Sequence, residues 1–326
     1  MTQLQITSKA FDNTRLSDFK DCPRQYFIRH VLGWRISGTA DALVFGLAWH
    51  EGMDIVWKHA KQVDKRTLTE LAFGAFTDMW EANGFPTDMS FGGYDRYGAR
   101  TPGTAKEMYY NYADQRWKML QEAEVVAIEQ PFAVPMPGLE DTWYVGRLDK
   151  VVNWASNNLI LEHKTTTAYA IQGNFRTDYV ESWYAAPQIK GYQFAGNLFY
   201  KNIDAVWVDA ALVHKKIHDA FKFIPIAHHV ELLKEWIETT GRWISMVLEA
   251  THNYNSGTSV SKCFPKNENH CFGKFGQCPF LDICRSTPDP SKLDTVPFGY
   301  VEEKWEPFNI LKLDQLVKTG EVNGQV

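Results

Sequence analysis

The stretch Gly146-Arg147-Leu148-Asp149-Lys150-Val151-Val152-Asn153-Trp154-Ala155-Ser156-Asn157-Asn158-Leu159-Ile160-Leu161-Glu162-His163-Lys164 decides how this chain is read. Both arms have strand composition, and Ala155-Ser156-Asn157-Asn158 between them is turn-like, which predicts strands over Thr142–Trp154 and Leu159–Thr165. In the second arm Glu162 and Lys164 share a face, while His163 points the other way with Leu161. A two-residue turn at Ala155-Ser156 puts Asp149 directly opposite Glu162, with Cβ atoms about 4.5–5.5 Å apart. One more residue in the turn moves Asp149 to the other face, so register decides the chemistry. Two carboxylates that close repel by roughly 1–4 kcal/mol unless a cation or proton lies between them. An isolated E-x-K is ordinarily a cross-strand salt bridge. Here the charges end an apolar run, Leu159-Ile160-Leu161, and charge at the end of a buried strand points to a site.

Outward from this hairpin, Val125–Val134 and Ala205–Val213 read as further strands. Leu43–Ala60, Lys65–Ala82, Thr104–Ala123, Pro187–Tyr200 and Ala227–Tyr254 read as helices. Ser17 is placed to cap a short helix, and Pro23 suits the first turn of another through Gln25–Leu32. The glycine-rich loop Asn83–Gly103 is long enough to be functional or mobile. With 326 residues and 44% hydrophobic content the chain can bury a sizeable core, which argues against disorder. No basic patch precedes an apolar run at the N-terminus and no segment is long and apolar enough to span a bilayer, so a soluble, cytoplasmic protein with no membrane partner is expected. Five cysteines, an odd count, argue against a disulfide framework. The net charge of -5 gives little general hold on phosphates, although a cleft that holds a cation sets its own field.

Two further motifs lie on predicted helices: Gly46-Leu47-Ala48-Trp49-His50-Glu51 and Gln188-Ile189-Lys190-Gly191-Tyr192. Taken alone, His50 on an apolar helix is an ordinary core histidine, and Gln188 with Tyr192 is an i, i+4 packing pair. Together and in this order with Gly146-Arg147-Leu148-Asp149 and Glu162-His163-Lys164-Thr165, they resemble the RecB-like branch of the PD-(D/E)xK nucleases. That branch includes phage exonucleases and CRISPR-associated nucleases with an iron-sulfur cluster. The resemblance runs from Leu16 to Cys284, with glutamate at 162 where many members carry aspartate. It implies an α/β restriction-endonuclease-like core, a mixed sheet flanked by helices in the order helix, strand, strand, strand, helix, strand. Helical N- and C-terminal segments wrap that core. It implies Asp149, Glu162, Lys164, Gln188 and Tyr192 as catalytic residues. His50, Asp149, Glu162 and the main-chain carbonyl of His163 would hold Mg2+ or Mn2+, the nitrogen ligand favouring Mn2+. Lys164 would orient water or neutralise developing charge; as a base it would need a pKa far below the free value of about 10.4.

Cys271, Cys278 and Cys284 are separated by six and five residues, and the close cysteine pair usual in structural zinc sites is missing. By the same resemblance, Cys22, followed by Pro23-Arg24, completes a [4Fe-4S] site with Cys271, Cys278 and Cys284. Cys263 is spare, and could replace Cys271 if the intervening loop folds differently. Such a clasp closes a loop of roughly 260 residues, worth about 5–6 kcal/mol by the chain-entropy formula. Tyr26, Phe27, Arg29 and Trp34, with Phe272, Lys274 and Phe275, offer a surface on which a single strand could stack.

Residues 1–285 are expected to form one nuclease domain, with a helical part at 16–123, a core at 124–214, a C-terminal helix and cysteine segment at 227–285, and a tail at 286–326. The expected function is a metal-dependent exonuclease acting on linear duplex or single-stranded DNA ends in recombination, repair or phage DNA metabolism. A recombination or replication protein is the expected partner, in a bacterial or phage-infected cell. The alternative is a non-catalytic or complex-dependent DNA-binding module, as in CRISPR adaptation. Loss of a catalytic residue would mark it, and none is lost.

Overall fold

The computed structural model describes residues 9–38, 40–87, 97–170, 174–200, 202–273 and 276–307. Lys274, Phe275, residues 88–96 of the loop expected at 83–103 and the later part of the C-terminal segment lie outside the described residues. The chain forms two compact units: one of residues 1–38, 131–146 and 230–326, the other of 39–130 and 147–229.

In chain order the elements are β1 (Ala10–Phe11), α1 (Asn13–Asp21), α2 (Pro23–Tyr26) running into a π-helical turn (Phe27–Val31), β2 (Trp34–Ile36), α3 (Asp41–His59), α4 (Lys65–Ala82) and α5 (Pro102–Glu122). Then follow β3 (Glu124–Pro135), β4 (Trp143–Trp154), β5 (Asn157–Thr166), α6 (Thr177–Tyr184), α7 (Pro187–Tyr200), β6 (Ala205–Leu212) and β7 (Phe221–Ile226). The chain continues through α8 (Val230–Asn255), α9 (Val260–Cys263), the short β8 (Phe272–Gly273) and β9 (Gly276–Gln277), α10 (Leu281–Ser286) and β10 (Tyr300–Glu302).

The second unit carries α3 to α7 and most of the large sheet. Apolar residues recur along α3 at Val44, Phe45, Ala48, Trp49, Met53, Val56 and Trp57, and all are buried against α4 and α5. Asp64 caps α4 by accepting from the Arg66 and Thr67 amides, and Thr101 caps α5 by accepting from the Thr104 amide. Gly52 lets α3 approach α5 closely: a Cβ there would lie 2.1 Å from the Tyr109 hydroxyl, which donates to the Trp49 carbonyl at 3.0 Å. β4 and β5 are antiparallel, with Lys150 opposite Leu161 and Trp154 opposite Asn157. The link is the expected two-residue turn, Ala155 and Ser156, at φ 50° and 64°; two successive left-handed residues make a hairpin turn whose twist matches the strands. β5 runs parallel to β6 from Leu159 opposite Ala205 to Thr166 opposite Leu212, and α7 lies within the crossover. β7, antiparallel to β6, ends this side of the sheet and tolerates Pro225 as an edge strand can.

In the first unit β1 pairs parallel with the start of β4, and β10 pairs antiparallel with β2. Asp12, and not Ser17, caps α1, accepting from the Arg15 amide, because the helix starts five residues earlier than its composition indicates. Arg24 is 1% exposed and spans the unit. Its Nε donates to the Phe264 carbonyl at 3.0 Å, Nη1 to the Pro288 carbonyl at 2.8 Å and Nη2 to Ser261 Oγ at 3.3 Å. The expected stacking surface is corrected here: Tyr26, Phe27 and Trp34 are buried, with Phe27 packed on Tyr254 and Phe264. No helix among the described residues is long and apolar enough to cross a membrane.

Candidate active site

The site is built on β4 and β5 in the second unit. The β4–β5 register, carried one step beyond Lys150–Leu161, sets Asp149 opposite Glu162, and both side chains are buried. The His163 amide donates to Asp149 Oδ2 at 2.8 Å, so the strand carrying Glu162 also fixes Asp149. Lys164 Nζ is 2.5 Å from Glu162 Oε1. Gln188 Nε2 donates to that oxygen at 3.0 Å and to the Tyr192 hydroxyl at 2.7 Å, so the i, i+4 pair on α7 is aimed at Glu162. Glu162 Oε2 is buried with no hydrogen-bond partner. From α3, His50 Nδ1 reaches to 3.4 Å of Asp149 Oδ2. That helix is tied to β4 by the fully buried Lys150, whose Nζ lies 2.5 Å from Asp54. The His163 ring faces away from this site into the core. Its Nδ1 is 3.2 Å from Asp209 Oδ2, to which the Tyr112 hydroxyl donates at 2.6 Å.

Glu129 joins these residues although the sequence did not mark it. One donor atom each from His50, Glu129 and Asp149 lie within 4.8 Å of one another, the geometry of a cation site. Glu129 sits within β3 at φ 49°, a left-handed conformation that costs energy for a residue with a Cβ and turns the side chain toward Asp149. Arg147 Nε lies 2.6 Å from Glu129 Oε2, while Oε1 is buried without a partner. The available signal was Glu129-Gln130, two polar residues in the middle of a strand; the backbone conformation that re-aims Glu129 has no sequence signature.

Burial, then the Asp149 charge, push Glu162 up to about 8 and Glu129 up to about 7. Burial opposes ionisation of Asp149 as well, but His50, Lys164 and Lys150 hold its carboxyl below the usual range. Burial pulls His50 down to about 4, leaving a neutral imidazole able to donate a lone pair at neutral pH. For Lys164 burial is outweighed by Glu162 and Asp149, which hold its pKa above the ordinary value. Crowded carboxylates, two orphaned buried oxygens and a neutral histidine are the donor set a divalent cation needs.

In the first unit Cys22, Cys271, Cys278 and Cys284 line one pocket of about 330 Å³, open mouth included, with Gln25, Asn267 and Phe280. The Asn267 amide points at Cys22 Sγ at 3.4 Å. Cys263 is not among the lining residues, and its thiol faces the Thr258 carbonyl at 3.8 Å. Burial raises the Cys278 thiol, and raises that of Cys284 to about 11.

A mixed sheet flanked by helices, with two carboxylates and a lysine on its adjacent central strands, is the architecture of a nuclease core. The chain belongs to the PD-(D/E)XK nuclease superfamily, whose model matches residues 13–285. No curated protein matches it in sequence. A crystal structure of a candidate exonuclease from Eubacterium rectale, at 2.19 Å resolution, is similar with a TM-score of 0.47 and 12% identity, over 91% of this chain and 96% of that one.

Proposed function

We propose that this nuclease is a divalent-cation-dependent deoxyribonuclease that degrades DNA from its ends, with residues 1–285 acting as one functional domain. The observation that carries the reading is the buried Asp149–Glu162 pair with Lys164 Nζ 2.5 Å from Glu162 and Glu162 Oε2 left without a partner. His50, Asp149, Glu162 and the His163 carbonyl would hold Mg2+ or Mn2+, and Glu129 extends that set. The cation supplies charge neutralisation at the scissile phosphate and acidifies water. Lys164, held as an ammonium by the two carboxylates, donates to the attacking water or to the phosphate and does not serve as the base. Gln188 fixes Glu162 Oε1, and Tyr192 fixes Gln188. The preference for ends rests on the low general attraction of a chain with net charge -5 for internal duplex.

The cysteine pocket supports a [4Fe-4S] cluster on Cys22, Cys271, Cys278 and Cys284. A single zinc with bonds of about 2.3 Å needs its sulfurs about 4 Å apart. Four cysteines that line one pocket without the close pair of a structural zinc site fit a cluster better. Thiols that are all unpaired fit the reducing cytoplasm of a bacterial or phage-infected cell, in DNA recombination, repair or phage DNA metabolism and beside a recombination or replication protein. The test is digestion of end-labelled linear DNA and closed circles at fixed salt with Mg2+, Mn2+ or chelator. Linear DNA should be shortened only with metal; rapid nicking of closed circles would replace the end-directed reading with an endonuclease.

A further inference from the structure

Helix α6 has an aromatic face that the reading above leaves without a task. None of its residues is buried. Phe175 immediately before it, Tyr179 and Trp183 follow one another at i, i+4, i+8, one above the next on one side of the helix. Their ring centroids are 6.1 Å and 6.0 Å apart. All three are half-buried, and the polar tips of Tyr179 and Trp183 are sealed from solvent, so what they show to water is ring carbon. A surface helix of a folded unit normally buries its apolar stripe, and this one covers it only in part.

The position of that face matters. Phe175 bridges to Tyr169 and the Arg176 amide donates to the Ala168 carbonyl at 3.0 Å, so α6 is drawn back onto the end of the strand that carries Lys164. The Tyr179 hydroxyl lies within electrostatic reach of the Lys164 ammonium. The polar residues of α6 do not suit a phosphate track: Arg176 is paired with Asp178, and Glu181 lies on the far side from the rings. A strand bound here would keep its phosphates toward Lys164 and its bases toward α6.

We propose that Phe175, Tyr179 and Trp183 form a base-stacking wall beside the active site, and that its ligand is the unpaired bases of a single DNA strand whose phosphate lies at Lys164. Duplex bases are already stacked and paired, so they cannot offer their faces to such a wall, whereas unpaired bases of any sequence can. The inference rests on the nuclease reading for its location and names the substrate class of that site: single-stranded ends over blunt duplex.

The experiment measures anisotropy of a labelled thymidine oligonucleotide, an abasic sugar-phosphate oligomer of equal length and a blunt duplex, in chelator so that no cleavage intervenes. The intact protein should bind the thymidine oligomer about tenfold or more tightly than either of the others, the size expected for loss of base stacking. Trp183→Ala and Tyr179→Ala should erase most of that difference while Tyr179→Phe keeps it, since the ring and not the hydroxyl makes the contact. Equal binding of thymidine and abasic oligomers by the intact protein overturns the wall, whether or not any variant folds, and would leave α6 as a surface for a protein partner. Base-dependent binding without cleavage of any DNA in Mn2+ would instead keep the wall and sink the nuclease reading.

Discussion

In the second unit the carboxylates and lysine stand on two long paired strands, whereas of the four cysteines of the first Cys22 lies between two short helices, Cys271 and Cys278 flank a pair of two-residue strands, and Cys284 lies in a six-residue helix. The first arrangement is positioned by backbone: register, a two-residue turn and a crossover helix fix Asp149, Glu162, Lys164 and Gln188 before any ligand arrives. The cysteine segment has little regular structure to fix it. What holds it is Arg24, a buried fork reaching three acceptors in the C-terminal part. One site is preorganised and strained by its own charges; the other is loosely built. Substitutions at the first should therefore change chemistry with little change in stability, and substitutions at the second should do the opposite.

The largest expected effect tests the first half of that contrast. Asp149→Ala, Glu162→Ala and Lys164→Ala should each slow cleavage of end-labelled linear DNA by two or more orders of magnitude, about 3 kcal/mol of transition-state stabilisation. Melting temperature without metal should hold, and rise for the Glu162 variant, because a buried carboxylate in a repulsive site is removed. Near-normal rates in the Asp149 or Glu162 variant would break the assignment.

For the cysteine region the expected order is reversed. Arg24→Ala removes a buried guanidinium and three hydrogen bonds, leaving the buried Phe264 carbonyl unpaired, and should cost about 2–3 kcal/mol of stability, with or without iron. Cys284→Ala should abolish iron in protein purified without oxygen and lower the melting temperature toward that of metal-free protein, whereas Cys263→Ser should keep both iron content and melting point. Stoichiometric zinc without iron would contradict the cluster. Equal iron loss in the Cys263 variant would restore that residue as a ligand.

Gln188→Ala separates positioning from chemistry inside the first site. It removes a donor to Glu162 but no proposed ligand, so cleavage should fall about ten- to thirtyfold, roughly 1.4–2 kcal/mol. Gln188→Glu should be worse than alanine, since it sets a second negative charge against Glu162. A rate unchanged in the alanine variant would make Gln188 and Tyr192 only a packing pair.

How far each region is legible from sequence follows the same division. Long periodic elements are read well: α4 and α7 have the bounds their patterns predict, and the hairpin register follows from Ala155-Ser156 between two strand-like arms. Short or irregular elements are not. α6 is only eight residues long, and β7 is a six-residue edge strand containing a proline. Glu129 depends on a left-handed residue within a strand and on contacts across the fold, neither of which leaves a local pattern. Composition alone cannot separate a ring that stacks on ligand from one that fills the core: Tyr26 and Phe27 read as a surface and are buried, while the half-open rings of α6 pass unnoticed.

The smallest effect concerns pH, where the strain of the first site should appear in stability even without substrate. Glu162, raised to about 8 in the fold from an ordinary 4.5, holds its proton in the native state where the unfolded chain has lost it. The native state then binds more protons across that window, so stability falls as pH rises from 4.5 to 8. Glu129 acts in the same direction up to about 7. His50 has the opposite sign: lowered to about 4 from 6.5, it makes the fold less stable as pH falls through that interval and is nearly silent above it. The interval from pH 6.5 to 8 therefore isolates the carboxylates, since the raised thiol of Cys284 acts only above its ordinary value of 9. Metal-free protein should lose about 2 kcal/mol across it, read as a falling melting temperature. Glu162→Gln should remove most of that slope, leaving the Glu129 contribution near its lower end. Saturating Mn2+ should flatten the wild-type profile, because a cation replaces the proton between the carboxylates. A profile equally steep in wild type and Glu162→Gln would show that the charge strain lies elsewhere, and that the catalytic strands are no more burdened than the cysteine region.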